Sequence, residues 1–465
     1  MRRRIALLLW ITPGLTLALL ALAADFVGLG RPGEGFGNGQ IILLAVGGLA
    51  ALLGFLVHHK AVRDQQRSGR AYGKTVLFVT LPAALLMLVT VLLVDRLLGL
   101  ALYPIAATSG LIYPPNSTVE LHTSEYRFTV ETNALGIRDE EVQLDRDDRY
   151  RILAIGDSFT YGWGVGNDQA WPKVAERQLR QAGCRVEVLN LGHPGASLDL
   201  YARIARESIP LLKPDLVLVA VLQGDDLKQL DLAAHDAKLR TLAWLRALAP
   251  NLTRLGKGEC FRQPLRRTAA EMRAEWQANA RQALARLDDQ QRQRLERLEP
   301  RVKQALLEGD VNPYSVDLGV RFPDYFAFTL HPERADVQAA RRAMADHLRH
   351  IARDARRAGA QLAVVSVPCA AYLNRQTLGT LRRLGFQVDE AALGDDTPDE
   401  VIRTACDTAG VPFCSVVARF RRAAETQRLY FELDEHFNVQ GQTLYGEAVS
   451  ELLLRGEVGV DSGDF

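Results

Sequence analysis

Cysteine is scarce in this chain of 465 residues, which contains only five. None forms a Cys-x-x-Cys pair or joins histidines at zinc-binding spacing, so the sequence predicts no metal site. No glycine-rich loop is followed by the Lys-Ser or Lys-Thr of a phosphate-binding loop, and we expect no cofactor. Cys406 and Cys414 are close enough along the chain to form a disulfide.

An excess of charge of either sign is also absent. Lys and Arg number 56 and Asp and Glu 55, a net charge of +1. A nucleic-acid-binding protein usually carries a clearly basic domain, so no nucleic acid is expected as a partner. With 48% hydrophobic and 24% charged residues, the composition is typical of folded proteins. The length allows two or three domains.

Long apolar runs are confined to the first hundred residues. Ile5–Ala24, Ile41–Val57 and Val76–Val94 contain no Lys, Arg, Asp or Glu. Each is about long enough to cross a ~30 Å hydrocarbon layer as a helix. The sequence therefore predicts a membrane domain with three transmembrane helices over residues 1–103, and with it the lipid bilayer as a partner.

Basic residues predict the orientation of this domain. They precede the first apolar run and fill the loop between the second and third, namely Arg2–Arg4, Lys60, Arg63, Arg67, Arg70 and Lys74. Cytoplasmic loops are enriched in such residues, so the chain from about Tyr103 onward is expected to be extracytoplasmic, in the periplasm or at the cell surface. Alternatively, the first run is a cleavable signal peptide ending at Ala21-Leu22-Ala23, and this leaves the same part outside.

Apolar runs alternate with helical patterns beyond residue 150. A linker with one edge strand is expected over 104–149, an α/β domain over 150–465, and a mainly helical insertion over 227–337. Pro300 should break or kink the insertion's leucine-rich helix. The alternation predicts a parallel sheet with helices on both faces, whose ligands lie at the carboxyl ends of the strands.

A serine and a histidine stand out in the loops of this domain. Ser158 directly follows a predicted strand, where a hydroxyl is exposed above the sheet, although a Ser in this position also commonly caps a helix. His436 lies in a loop before the last predicted helix, two residues after Asp434. A carboxylate that orients a histidine, which in turn activates a serine, is the arrangement of serine hydrolases.

Four sequence blocks in this order carry a family resemblance. They are Gly156-Asp157-Ser158, Asn190-Leu191-Gly192-His193-Pro194-Gly195, Gln223-Gly224-Asp225-Asp226 and Asp434-Glu435-His436. Together they resemble the SGNH, or GDSL-type, hydrolases over about residues 150–454 outside the insertion. The resemblance implies a flavodoxin-like α/β/α fold, Ser158 as nucleophile, His436 as base and Asp434 as its orienting acid. It further implies that the backbone N–H groups of Ser158 and Gly195 stabilise the oxyanion.

Asp225 departs from the family pattern. The family has Gly-x-Asn-Asp in the third block, and its Asn donates to the oxyanion, whereas this chain has Asp225 in that place. An ionised carboxylate about 4 Å from an oxyanion would repel it by roughly 4 kcal/mol at an effective dielectric constant of about 20. We hypothesise that Asp225 still serves the oxyanion hole in a protonated or hydrogen-bonded form.

Three functions remain open at this stage. The first is a membrane-anchored serine esterase that removes acyl groups, acetyl foremost, from an extracytoplasmic glycan or a lipid-linked saccharide. The second is an O-acyltransferase that modifies an envelope polysaccharide with an acyl donor supplied by a membrane partner protein. The third is a catalytically silent protein that binds a glycan.

Overall fold

A computed structural model describes residues 38–68, 111–235 and 264–458, with a few isolated positions between 88 and 96. The chain divides into two compact units, Met1–Ser109 with Ala237–Arg262, and Gly110–Asp236 with Gln263–Phe465. The strands of the described residues are β1 Thr118–His122, β2 Arg127–Glu131, β3 Tyr150–Gly156, β4 Val186–Gly192, β5 Leu216–Leu222, β6 Arg266–Arg267, β7 Gln361–Val367 and β8 Phe413–Cys414. The helices are α1 Asn38–Ser68, α2 Ser158–Tyr161, α3 Trp171–Gln181, α4 Leu198–Leu212, α5 Asp225–His235, α6 Ala269–Ala285, α7 Asp289–Glu296, α8 Pro300–Glu308, α9 Pro313–Arg321, α10 Ala335–Arg357, α11 Arg375–Arg383, α12 Thr397–Ala409, α13 Val417–Ala424 and α14 Val439–Leu454.

The first unit is described mainly through α1, which includes the second predicted membrane span. The first predicted span, Ile5–Ala24, and most of the third, Val76–Val94, lie outside the described residues. Among the residues that are described, no helix has both the length and the apolarity to span a membrane.

A five-stranded parallel sheet forms the centre of the second unit, in the order β4-β3-β5-β7-β8. All residues of β4 and β5 are buried, because both faces of the sheet are covered. Alternate residues of β3 belong to opposite cores: Ile152 packs with α3 and α14, and Leu153 packs with α4 and α10. The predicted α/β fold with a parallel sheet is confirmed.

This strand order creates a switch point between β3 and β5. From β3 the chain goes to β4 on one side, and β5 then lies on the other side of β3. The loops that leave β3 and β5 consequently diverge and leave a crevice at the carboxyl ends of the strands. Ser158 follows β3 and Asp225 follows β5, so the sheet topology places both at this crevice.

A second, smaller sheet precedes the main one. β1 and β2 form an antiparallel hairpin, and the two-residue strand β6 adds to β1 in parallel. The sequence predicts only one edge strand here, over Arg127–Val130, whereas the segment folds as a hairpin. Leu121, Phe128 and Val130 form its small core with Trp276 of α6.

The leucine-rich stretch of the insertion forms separate helices, where the sequence predicts one helix with a break or kink at Pro300. Asp288 caps α7 by accepting a hydrogen bond from the backbone N–H of Gln291 over 2.8 Å. Pro300 occupies the first turn of α8, where its missing N–H costs no hydrogen bond. Val302 and Leu306 of α8 are buried in the same core as α3 and α14.

The disulfide between Cys406 and Cys414 that their spacing allows does not form, since both thiols are free. Cys406 lies in the core on one face of the sheet and Cys414 in the core on the other. The Cys414 thiol donates instead to the backbone carbonyl of Glu457 over 3.3 Å.

Candidate active site

Ser158 begins the short helix α2 directly after β3. Asp157 caps this helix by accepting a hydrogen bond from the backbone N–H of Phe159 over 2.9 Å. The tight turn depends on Gly156, because a Cβ at this position would lie 2.1 Å from the Thr160 hydroxyl oxygen. The sequence thus places Ser158 at a sharp strand-to-helix turn, and the side chain of Ser158 faces the crevice.

His436, which lies close to the C-terminal helix α14, contacts Ser158. Its Nε2 lies 2.6 Å from Oγ of Ser158, and its Nδ1 is hydrogen-bonded to Oδ1 of Asp434. The same Oδ1 accepts the backbone N–H of His436 over 3.1 Å, so the two-residue spacing folds the carboxylate back onto its own loop. The three predicted residues, far apart along the chain, therefore form one hydrogen-bonded relay.

Burial and charge act in opposite directions on His436, which is 5% exposed. Burial lowers the pKa of the imidazole, but the charge and hydrogen bond of Asp434 outweigh it and raise this pKa to about 9. Burial would raise the pKa of Asp434, yet the charge of His436 holds it below its ordinary value. The pair thus favours an imidazolium beside a carboxylate, the state that forms when a histidine takes the proton of a serine.

Two residues that the sequence analysis does not single out also belong to this relay. The Tyr126 hydroxyl donates to Oδ2 of Asp434 over 3.0 Å, and the Trp163 indole N–H donates to the Tyr126 oxygen over 3.2 Å. Tyr126 follows β1 in the turn of the hairpin, a segment with no catalytic signature. No local sequence signal identifies it, because its contact with Asp434 spans 308 residues.

Gly195 lies across the crevice from His436 in the loop after β4. This loop turns tightly, with the N–H of Ala196 donating to the carbonyl of His193 over 3.0 Å, and Gly195 takes a φ of 71° that suits glycine. His193 stacks on Tyr113, with ring centroids 5.2 Å apart. Gly195 and Ser158 both line the same cavity, as the predicted oxyanion hole requires.

Asp225 faces this cavity as well but is engaged by two donors. Tyr325 donates to its Oδ1 over 2.7 Å, and the Gln229 amide donates to its Oδ2 over 2.6 Å. Burial raises the pKa of Asp225 to about 6, in opposition to both hydrogen bonds, which lower it. Asp225 is therefore held as a hydrogen-bond acceptor, and Tyr325, which holds it, comes from the insertion.

The cavity beside Ser158 has a volume of about 360 Å³. Trp163 and Leu222 form part of its apolar wall, and the insertion contributes Leu318 and Phe326. The remaining lining residues are Asp157, Ser158, Phe159, Pro194, Gly195, Asp225, Gln229, Asn312, Tyr314, Phe386, Glu435 and His436. The site is thus a mainly apolar pocket whose lining also includes Ser158, His436 and three carboxylates.

A buried arginine stabilises the turn that begins at Ser158. Arg138, only 1% exposed, donates to the backbone carbonyls of Tyr161 over 2.6 Å and Gly162 over 2.7 Å. It also donates to the carbonyl of Val165 over 2.5 Å. The first carbonyl belongs to the last residue of α2 and the other two to the loop after it, so the guanidinium fixes the end of that helix and the loop beyond it.

A metal site would have to share atoms with the relay. Within the described part of the chain, only Asp434, Glu435 and His436 form a group whose potential ligand atoms lie within 4.8 Å of one another. Asp434 and His436 are already hydrogen-bonded to each other, and Ser315 donates to Glu435 over 2.6 Å. All three side chains are therefore already engaged in hydrogen bonds within the protein.

Several solved structures show similarity to this chain. One is the acetylxylan esterase of Geobacillus stearothermophilus, with 14% identity, 67% of this chain and 95% of that chain covered, and a TM-score of 0.30. The psychrotrophic esterase EstA of Pseudoalteromonas sp. has 10% identity, 65% and 95% coverage and a TM-score of 0.30. TesA has 11% identity, 65% and 97% coverage and a TM-score of 0.31.

The sequence itself matches one family and no curated relative. No curated protein matches the chain. The sequence model of the GDSL-like Lipase/Acylhydrolase family matches residues 154–335, which begin inside β3, contain Ser158, Gly195 and Asp225, and end before Asp434. This match supports the GDSL-like lipase/acylhydrolase family, and the protein is an enzyme that hydrolyses ester bonds.

Proposed function

We propose that Ser158, His436 and Asp434 are the catalytic triad of a membrane-anchored serine esterase. The distance of 2.6 Å between Nε2 of His436 and Oγ of Ser158 carries this proposal, because a general base must lie within hydrogen-bond reach of the proton it removes. The hydrogen bond between Nδ1 and buried Asp434 supports the same assignment, since it selects the tautomer that leaves Nε2 free to accept.

The reaction follows from this geometry. Oγ of Ser158 attacks the ester carbonyl while its proton passes to Nε2 of His436, and Asp434 stabilises the imidazolium. The tetrahedral intermediate then collapses, the C–O bond to the alcohol breaks, and Nε2 returns the proton to the departing alkoxide. Water then attacks the acyl carbon as Nε2 of His436 takes its proton. The bond between this carbon and Oγ breaks, Nε2 returns the proton to Oγ of Ser158, and the carboxylic acid is released.

Backbone N–H groups of Ser158 and Gly195 are proposed to stabilise the oxyanion. The position of both residues on the cavity and the positive φ of Gly195 support this assignment. The hydrogen bonds from Tyr325 and Gln229 hold Asp225 as an acceptor, so its carboxyl group is proposed to contribute no donor when ionised.

An acylated carbohydrate or lipid-linked saccharide is the proposed substrate, with acetyl as the acyl group. The extracytoplasmic position predicted for this unit supports an envelope glycan, and the apolar wall of the cavity suits an acyl chain. A membrane-impermeant fluorophosphonate tests the position, because it should label Ser158 in intact cells. Labelling that requires permeabilised cells would contradict the proposed orientation.

The membrane anchor is proposed from the three apolar stretches and the basic residues that flank them. If they span the bilayer, the full chain should sediment with membranes and resist extraction by alkaline carbonate. A chain released by carbonate would contradict the anchor but leave the proposed esterase unaffected.

The decisive experiment is the release of p-nitrophenol from p-nitrophenyl acetate by the full-length protein and its Ser158→Ala variant. We expect hydrolysis by the parent and its loss in the variant, with no change in thermal unfolding. Equal rates in two folded proteins would contradict the triad.

The same assay tests the alternative function. If saccharide hydroxyls added to the assay capture the acyl group in preference to water, the enzyme is instead an O-acyltransferase, which would need a membrane partner as acyl donor.

A further inference from the structure

We propose that Tyr126 is a positioning residue for the acid–base pair, and that the turn between β1 and β2 holds the loop of Asp434 and His436 in its active geometry. This inference rests on the proposed triad and extends it to a segment before the α/β sheet.

The direction of each hydrogen bond in this part of the site is fixed by chemistry. The indole N–H of Trp163 can only donate, so the Tyr126 oxygen accepts it over 3.2 Å. The single proton of the Tyr126 hydroxyl is then directed to Oδ2 of Asp434 over 3.0 Å. Burial raises the pKa of Tyr126 well above its ordinary value, so the phenol keeps this proton throughout the working range.

Asp434 needs this donor because it is almost completely buried, with 2% exposure. Its Oδ1 accepts both the ring N–H and the backbone N–H of His436. Tyr126 is the donor to its Oδ2. With both oxygens engaged, the carboxylate cannot rotate away from the imidazole without losing hydrogen bonds in a poorly solvated place.

Glu125, the neighbour of Tyr126, binds the backbone of the same loop with its side chain. Its carboxylate accepts the N–H groups of Glu432 and Leu433, the latter over 2.7 Å. The ring of Tyr126 also packs on Phe431, with centroids 5.0 Å apart. The hairpin turn therefore contacts the loop through the Glu125 carboxylate, which accepts two backbone N–H groups, through an aromatic contact and through the tyrosine hydroxyl.

The protonation of His436 depends on the negative groups around it. The Tyr126 hydroxyl, by donating to Asp434, changes the strongest of these interactions. Glu435 lies on the same loop, Asp157 precedes α2 and Asp225 begins α5, whereas the charge of Glu125 in the hairpin turn acts on Asp434. The hydroxyl of Tyr126 partly neutralises the charge of Asp434. Without it, Asp434 should attract the imidazolium proton more strongly, and His436 should become neutral only at higher pH.

Tyr126→Phe in the full-length protein tests this role. We expect kcat for p-nitrophenyl acetate to fall roughly tenfold to a hundredfold and the acid limb of kcat/KM to move to higher pH. Tyr445→Phe is the matched control, since the Tyr445 hydroxyl is also buried and donates to the carbonyl of Ser366 over 3.1 Å. This control should keep the wild-type acid limb.

A second replacement keeps the hydroxyl group and should shift the acid limb of the pH profile in the opposite direction. 3-Fluorotyrosine at position 126 is a stronger donor, so the acid limb should move to lower pH. It also tests the proposal if Tyr126→Phe does not fold. An unmoved acid limb in both proteins, with or without lost activity, would overturn the positioning role. Retained hydrolysis in Ser158→Ala would instead overturn the triad itself.

Discussion

The Tyr325 hydroxyl donates a hydrogen bond to Oδ1 of Asp225 over 2.7 Å, which ties the helical insertion to the oxyanion side of the site. Gln229 occupies the other carboxyl oxygen. The pKa of Asp225, about 6, lies below the pKa of about 9 of His436. When the histidine becomes neutral and able to act as a base, Asp225 is therefore already ionised.

Asp225→Asn should increase activity because it removes this negative charge and supplies an amide donor in its place. The repulsion of roughly 4 kcal/mol at about 4 Å is an upper limit, and a third of it corresponds to about a tenfold gain in kcat. The measurement is kcat/KM for p-nitrophenyl acetate between ~pH 5 and ~pH 10. Asp336→Asn, which removes a surface charge paired with Arg334, should leave the rate unchanged. An Asp225→Asn profile that superimposes on the wild type would show that Asp225 does not face the oxyanion.

The rate should rise with pH through about 9, because only neutral His436 acts as a base and its pKa is raised to about 9. The stabilisation from its ion pair has the opposite dependence. It is fully present below the unfolded-state pKa of ~6.5 and is lost as pH rises through the folded-state value. Asp434→Asn removes the charge that raises this pKa, so its weaker activity should have an acid limb at lower pH. If the acid limb of the wild-type pH–rate profile lies near the ordinary histidine pKa, Asp434 does not raise the pKa of His436 as predicted.

Gly192→Ala should prevent or severely weaken folding. A Cβ at this position would lie 2.1 Å from the backbone nitrogen of Tyr161, and backbone cannot move aside as a flexible side chain can. We expect a loss of about 3 kcal/mol or more in the free energy of unfolding, measured by urea denaturation. Gly379→Ala in α11, with nothing within 4 Å of the added Cβ, should stabilise by up to ~1 kcal/mol. Equal effects of the two substitutions would contradict the close approach of α2 to β4.

Arg138→Lys should destabilise the protein by about 2–4 kcal/mol, because one ammonium group cannot replace a guanidinium bound to three carbonyls. The Arg375 side chain is 82% exposed and pairs with Glu390, so Arg375→Lys should change stability by less than ~0.5 kcal/mol. Urea unfolding of both variants measures the difference. A small effect at Arg138 would mean that the nucleophile's loop is held by other contacts.

The sheet is predictable from the sequence because its strands are buried on both faces. β5 appears as a continuous apolar run. The sequence predicts a strand over Gln361–Val367 and a helix over Val439–Leu454, and these are the limits of β7 and α14. β6 has only two residues and no periodicity, so no pattern reveals it. The hairpin is missed in part for a similar reason, since β1 has only one fully buried residue, Leu121.

The sequence predicts only those site residues that belong to short recognisable motifs. Ser158, Asp434 and His436 occur in short blocks, and the structure brings them together; their catalytic roles remain predictions. Tyr126 and Tyr325 reach the site by long-range packing, which no local pattern encodes. Ester hydrolysis is confirmed by the family match.

The packing of α14 against α3 has a consequence for synthesis on the ribosome. His436 directly precedes α14, and its contact with Ser158 spans 278 residues. A nascent chain that already contains β3, β4 and β5 still lacks His436, the proposed base, whose loop leads into α14 and is anchored when α14 docks on α3. The proposed triad therefore predicts that hydrolysis begins only once this domain has folded as far as α14, and that a growing polypeptide without α14 is inert toward esters.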